Sequence, residues 1–147
     1  MSFLSSFDIS ASGLTAERQR LDIASENIAN ANATRTESGG TYRRKMVVLQ
    51  EVPLNSFRSK FNSLLSRTNQ LKGGVKVTEI VEDQRDLYPV YNPDHPDADE
   101  NGYVMMPNVD LVKETVDGMS ATRAYEANIT AFNAMKLMAQ KAMDIGK

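Results

Sequence analysis

The chain has 147 residues, enough for one domain of ordinary size, with 41% hydrophobic and 24% charged residues and a formal net charge of −2. It contains no cysteine, which removes disulfide frameworks, thiolate metal sites and cysteine nucleophiles. No apolar run approaches the ~18 residues of a membrane helix, and the N-terminus, Met-Ser-Phe-Leu-Ser-Ser-Phe-Asp, lacks the basic region of a cleavable secretory signal.

The first element is a long helix. Phe7, Leu14, Leu21 and Ile28 recur every seven residues, with the smaller or polar Ser10, Glu17, Ala24 and Ala31 three places after each. This is a coiled-coil seam that is strong at one position and thin at the other, so a partner helix can approach closely. Ser5 followed by Asp8 has the spacing of a capping box, with Asp in place of Glu, and places the helix start near Ser5 or a little later. Asn27, Asn30 and Asn32 crowd its last turn. They can cap the helix before the Ser38-Gly39-Gly40 turn, or hydrogen-bond across a helix contact and fix its register.

The middle of the chain has a different character. Tyr42–Leu49 and Val75–Val81 have strand composition, the second introduced by Gly73-Gly74. Residues 53–72 lack a firm period and are expected to form a mobile loop or short helix. Three prolines make Tyr88–Asp97 extended or turn-like. Asp97 to Gly102 matches the first half of an EF-hand loop, but Asn108 stands where the bidentate glutamate belongs. The carboxylates are therefore expected to make turns rather than to hold calcium.

A second long helix follows Pro107, with Asn108 expected as its N-cap. Val109, Val112, Val116 and Met119 lie on one apolar stripe, and Tyr125, Ile129, Phe132, Met135, Ala139, Ala142 and Ile145 on another. The apolar face turns between them near Gly118, where a kink is the alternative. The fold class expected is mainly α: two long terminal helices packed as an antiparallel coiled-coil-like pair, with a small β-containing insert between them. Residues 1–34 and 109–147 then form one helical assembly domain, and residues 35–108 the insert.

Charge is segregated along the chain. Residues 35–76 hold nine Lys/Arg against two Asp/Glu, and residues 79–101 hold eight Asp/Glu against one Arg. The two blocks can meet within one molecule or between neighbours. The basic cluster Arg43-Arg44-Lys45 is short and an equal acidic block follows it, which argues against nucleic-acid binding. The polar helix faces carry no excess of Lys/Arg, which argues against a membrane-surface role. His95 is the single histidine, and there is no phosphate loop or nucleophile elbow. The chain is expected to be no enzyme and to need no metal or cofactor.

Ser12-Gly13-Leu14-Thr15-Ala16, Arg20-Leu21-Asp22 and Asn27-Ile28-Ala29-Asn30-Ala31-Asn32-Ala33-Thr34 resemble the N-terminal signature of the bacterial flagellar rod and hook family. Arg123-Ala124-Tyr125-Glu126-Ala127-Asn128 and Phe132-Asn133-Ala134-Met135-Lys136 resemble its C-terminal signature. Gly39–Lys45 and Asn92–Val104 are similar to the proximal-rod members of that family. The resemblance implies a structural subunit of the basal-body rod, exported without a cleaved signal by the flagellar type III apparatus. It also implies assembly with copies of itself, other rod proteins and the base of the export apparatus. The expected assembly residues are Phe7, Leu14, Leu21, Asn27, Ile28, Asn30, Val112, Val116, Met119, Tyr125, Asn128, Ile129, Phe132 and Met135. The competing function is a soluble coiled-coil adaptor or export chaperone.

Overall fold

The computed structural model describes residues 3–37, 39–52 and 73–145, so the loop or short helix expected over 53–72 lies outside the described residues. Helix α1 runs Phe3–Ala29, followed by strands β1 Lys45–Glu51, β2 Val75–Glu82, β3 Tyr88–Tyr91 and β4 Tyr103–Met106, and helix α2 runs Leu111–Ile145. Strand β1 pairs with β2 and β3 with β4, giving two small two-stranded sheets between two long helices. Both are antiparallel: β1–β2 is closed by Asp83 N–H to Arg44 C=O at one end and Val52 N–H to Gly74 C=O at the other, and β3–β4 by the register Tyr88–Met106 to Tyr91–Tyr103.

The chain divides into two compact units, each built from several stretches of sequence. The first takes Met1–Gln19, Leu49–Thr78 and Ala121–Lys147. In it the Phe7 and Phe132 rings meet edge to face at 4.9 Å. Gly13 faces Asn128, whose amide nitrogen would be 3.0 Å from a Cβ at Gly13. The contacting numbers rise on α1 as they fall on α2, so these helical stretches run antiparallel. Ala16 and Ala121 are buried, and such small side chains permit a close approach. The Ser12 hydroxyl donates to Ile9 C=O and accepts from Val75 N–H, pinning the start of β2 to α1. Gly74 sits beside it at φ +104°, where a Cβ would overlap that hydroxyl.

The second unit comprises Arg20–Val48 and Glu79–Ser120. Leu21 and Ala24 of α1 lie opposite Gly118 of α2, within 3.7 and 3.9 Å of where its Cβ would be. Helix α2 is continuous through Gly118-Met119-Ser120. In the β3–β4 hairpin Val104 points inward and is buried, while Tyr91 and Tyr103 stack edge to face at 5.4 Å on the outer side. The acid-rich stretch between the strands folds as turns: Asn92 N–H bonds Gly102 C=O, and Asp99 N–H bonds Tyr103 C=O. The Asp97 carboxylate accepts from the Thr34 hydroxyl, and the Asp97 N–H donates to His95 Nδ1.

Two expected caps are corrected. Helix α1 already begins at Phe3, so Ser5 and Asp8 lie inside its first turns. Helix α2 is capped by Asp110, whose Oδ1 accepts from Val112 N–H at 3.1 Å and Lys113 N–H at 3.3 Å. Asn108 does not cap because its amide is taken up by tertiary partners, described next.

Candidate functional site

The interior of the second unit is polar. Asn27, on the last turn of α1, is fully buried at 0% exposure. Its Nδ2 donates to Lys45 C=O at 2.9 Å and to Glu114 Oε2 at 2.8 Å. Its Oδ1 accepts from Lys45 N–H and from the Tyr42 hydroxyl, each at 2.9 Å. Both hydrogens and both lone-pair positions of the amide are therefore used. One side chain ties α1, the approach to β1 and α2 together.

Glu114 is 2% exposed. Its second oxygen accepts from Arg44 Nε at 2.5 Å, while Arg44 Nη2 reaches Asp117 at 3.3 Å. The Arg44 N–H donates to Asn108 Oδ1, and Asn108 Nδ2 donates to the Asp83 and Arg85 carbonyls. The Arg43 guanidinium donates to the same two carbonyls. Lys45 Nζ pairs with Glu26 at 2.5 Å and lies 5.7 Å from the Tyr42 ring centroid. Among the described residues every buried side-chain nitrogen and oxygen has a partner. A buried ion pair of this kind adds little net stability over apolar packing, but losing one member is costly because the other is stranded.

Protonation follows from this geometry. Burial, then the nearby Glu26, Glu114 and Glu82 carboxylates, push the Tyr42 hydroxyl up to about 12. The Arg85 side chain and backbone N–H hold Asp83 below the usual carboxylate range. The Lys113 and Val112 amides do the same for Asp110 at the start of α2, the Lys113 amide most strongly.

The opposite side of the same helical turns is apolar and open. At about 100° per residue, Val112, Val116 and Met119 fall roughly opposite Glu114. They are 73%, 54% and 50% exposed. The arrangement inverts the usual order, with a carboxylate inside and a row of apolar side chains outside.

Residues 7–35 match the family described as flagella basal body rod protein, and residues 100–145 the family described as the C-terminal part of the flagellar basal body rod FlgEFG proteins. Over its whole length the chain is 49% identical to the flagellar basal-body rod protein FlgC of Bacillus subtilis, itself covered completely. It is 42% identical to FlgC of Salmonella typhimurium over all of both chains, and 41% identical to FlgC of Borreliella burgdorferi over 99% of this chain and 98% of the other. The chain belongs to the FlgC family of flagellar basal-body rod proteins. It is a structural protein, not an enzyme.

Within this FlgC-family chain the expected assembly residues fall into four groups. Phe7 and Phe132 touch, Asn128 faces Gly13, and Leu21 faces Gly118. Leu14, Tyr125 and Met135 are half-buried. Asn27 is enclosed in the polar network, whereas Asn30 turns back to Glu26 C=O of its own helix. Ile28, Ile129 and the row Val112, Val116 and Met119 are exposed. Sequence reasoning missed Tyr42, Arg44, Asn108 and Glu114 as a connected group. The one available signal was a glutamate set between two valines of an apolar stripe. The exposed Leu137, Met138 and Met143 near the end of α2 were also missed.

Proposed function

We propose that the chain polymerises through its terminal helices as a structural subunit of the flagellar basal-body rod. The observation that carries this reading is the row Val112, Val116 and Met119 standing outside while Glu114 is held inside. A helix that only had to complete its own unit would gain by burying that row, at roughly 1.5–3 kcal/mol for each fully buried side chain. Residues 1–34 and 109–147 act as the assembly domain, with coiled-coil-like pairing of the two helices and further contacts to neighbours. Residues 35–108 act as the insert. The partners are copies of the chain, other rod proteins and the base of the basal body. Delivery to the rod proceeds without a cleaved signal peptide. An adaptor or chaperone would instead form a defined oligomer in dilute solution.

The test is Val116→Glu together with Met119→Glu. Both positions are exposed in the single chain, so circular dichroism and urea stability should stay close to wild type. Cells carrying the variant should lose motility while still producing and exporting the protein. Normal motility would remove the exposed row from assembly. Charge substitutions at Leu14 and Leu21, which are half-buried and in the case of Leu21 packed opposite Gly118, should lower stability as well as motility.

A further inference from the structure

We infer that the Asn27–Glu114–Arg44 clasp is an orientation lock: it sets the rotation of the first turns of α2 so that Val112, Val116 and Met119 face outward. The inference rests on the assembly role proposed for that row. Three observations support it. First, Glu114 is the inward residue of the segment, held by Asn27 Nδ2 from α1 and by Arg44 Nε beside β1. These donors come from two directions, so the carboxylate has little freedom to swing. Second, the apolar row is the better inward face by hydrophobicity and stands roughly opposite Glu114 on the helix. Without the anchor, the side facing α1 would be chosen by the apolar row. Third, Gly118 lies at the end of this segment, facing Leu21 and Ala24. Glycine has the weakest helix preference after proline, so a change of setting is most easily absorbed there.

The lock therefore works against self-burial. A chain whose apolar row folded onto its own α1 would satisfy itself and have nothing to offer a neighbour. By spending the inner face on a fully bonded carboxylate, the fold leaves the row available. Asn27, Glu114 and Arg44 are positioning residues in this scheme, because they act through the row and need not touch the partner.

The absence of cysteine makes the idea directly measurable, since one introduced thiol reports alone. Val116→Cys should alkylate quickly in the otherwise natural chain, and Ala24→Cys slowly, because Ala24 is buried in the same unit. Adding Glu114→Ala or Arg44→Ala should slow the thiol at position 116 by roughly tenfold or more while the thiol at position 24 stays protected and helicity is kept. Glu114→Gln keeps one acceptor oxygen but sets an amide NH2 against the donor on the other side, so it should slow the thiol at 116 by less than Glu114→Ala does. Fast alkylation at 116 in both alanine variants, with position 24 still protected, would overturn the lock. Fast alkylation at both positions in both variants would overturn it too, showing that the clasp only holds the unit together. Failure of the assembly reading appears elsewhere, as normal motility in the Val116→Glu, Met119→Glu variant, and does not alter these thiol rates.

Discussion

Replacing Asn27 by alanine is the sharpest test of the polar interior. The substitution removes four hydrogen bonds at a position with 0% exposure. It leaves two donors, the Tyr42 hydroxyl and the Lys45 N–H, without their acceptor, and takes one donor from Glu114 and one from Lys45 C=O. A buried donor left unpaired costs about 1–3 kcal/mol, so the two together cost about 2–6 kcal/mol. Loss of a partner to the carboxylate places the sum in the upper part of that range. Against a total stability of about 5–15 kcal/mol this is a large fraction. With a urea slope of about 1–3 kcal/mol/M, the unfolding midpoint followed by circular dichroism should fall by roughly 2 M with an unchanged slope. Asn27→Asp is the companion variant. It keeps an acceptor but replaces the amide donors with a second carboxylate facing Glu114, so its deficit should exceed that of Asn27→Ala. A midpoint shift under about 0.5 M for Asn27→Ala would refute the reasoning, because the network would then be replaceable by water at no cost.

Other consequences are narrower. Gly74→Ala should destabilise by about 1–3 kcal/mol in urea unfolding, since it combines φ +104° with a clash on Ser12, whereas Gly40→Ala, with open space around its Cβ position, should stay within about 0.5 kcal/mol. Spectrophotometric titration should show one tyrosine ionising near 12 that disappears in Tyr42→Phe. Because its folded value lies above the ordinary value of 10.0, the stability it contributes is complete below that value and is lost as pH rises toward about 12. Asp83 has the opposite sign. Its carboxylate is held below the usual range, so its contribution is present above about pH 4 and is lost as pH falls through its lowered value. Asp83→Asn should therefore flatten the acid limb of a stability–pH curve.

The helices were legible because their period is long, whereas their starts were not, since both expected caps fell elsewhere. The seam of α1 is half realised: Phe7 and Leu21 meet α2 residues, but Ile28 is 39% exposed. The reason is helical phase. By the last turn of α1 the inward direction has moved to Ala24 and Asn27, leaving Ile28 at the side. The choice among three asparagines was not legible for the same reason, since Asn27 shares that face and Asn30 does not. Asn108 and Asp110 both have capping chemistry, and only the approach of Arg44, Asp83 and Arg85 decides which one caps. Local pattern left one trace of the inversion, Glu114 set between Val112 and Val116, and could not give its direction. Periodicity finds an apolar stripe but does not say which side of the helix has a partnered charge arriving from residues 27 and 44.

The composition of the two units also bears on how the chain comes into being. The β3–β4 hairpin joins neighbours in sequence and can close as soon as Met106 has been made. The Asn27–Glu114 bond closes a separation of 87 residues, and the first unit needs residues beyond Ala121. During synthesis the Asn27 bonds to Tyr42 and Lys45 can form early, whereas its Glu114 bond and the Phe7–Phe132 contact must wait for α2. The contacts of α1 with α2 are thus the finishing event.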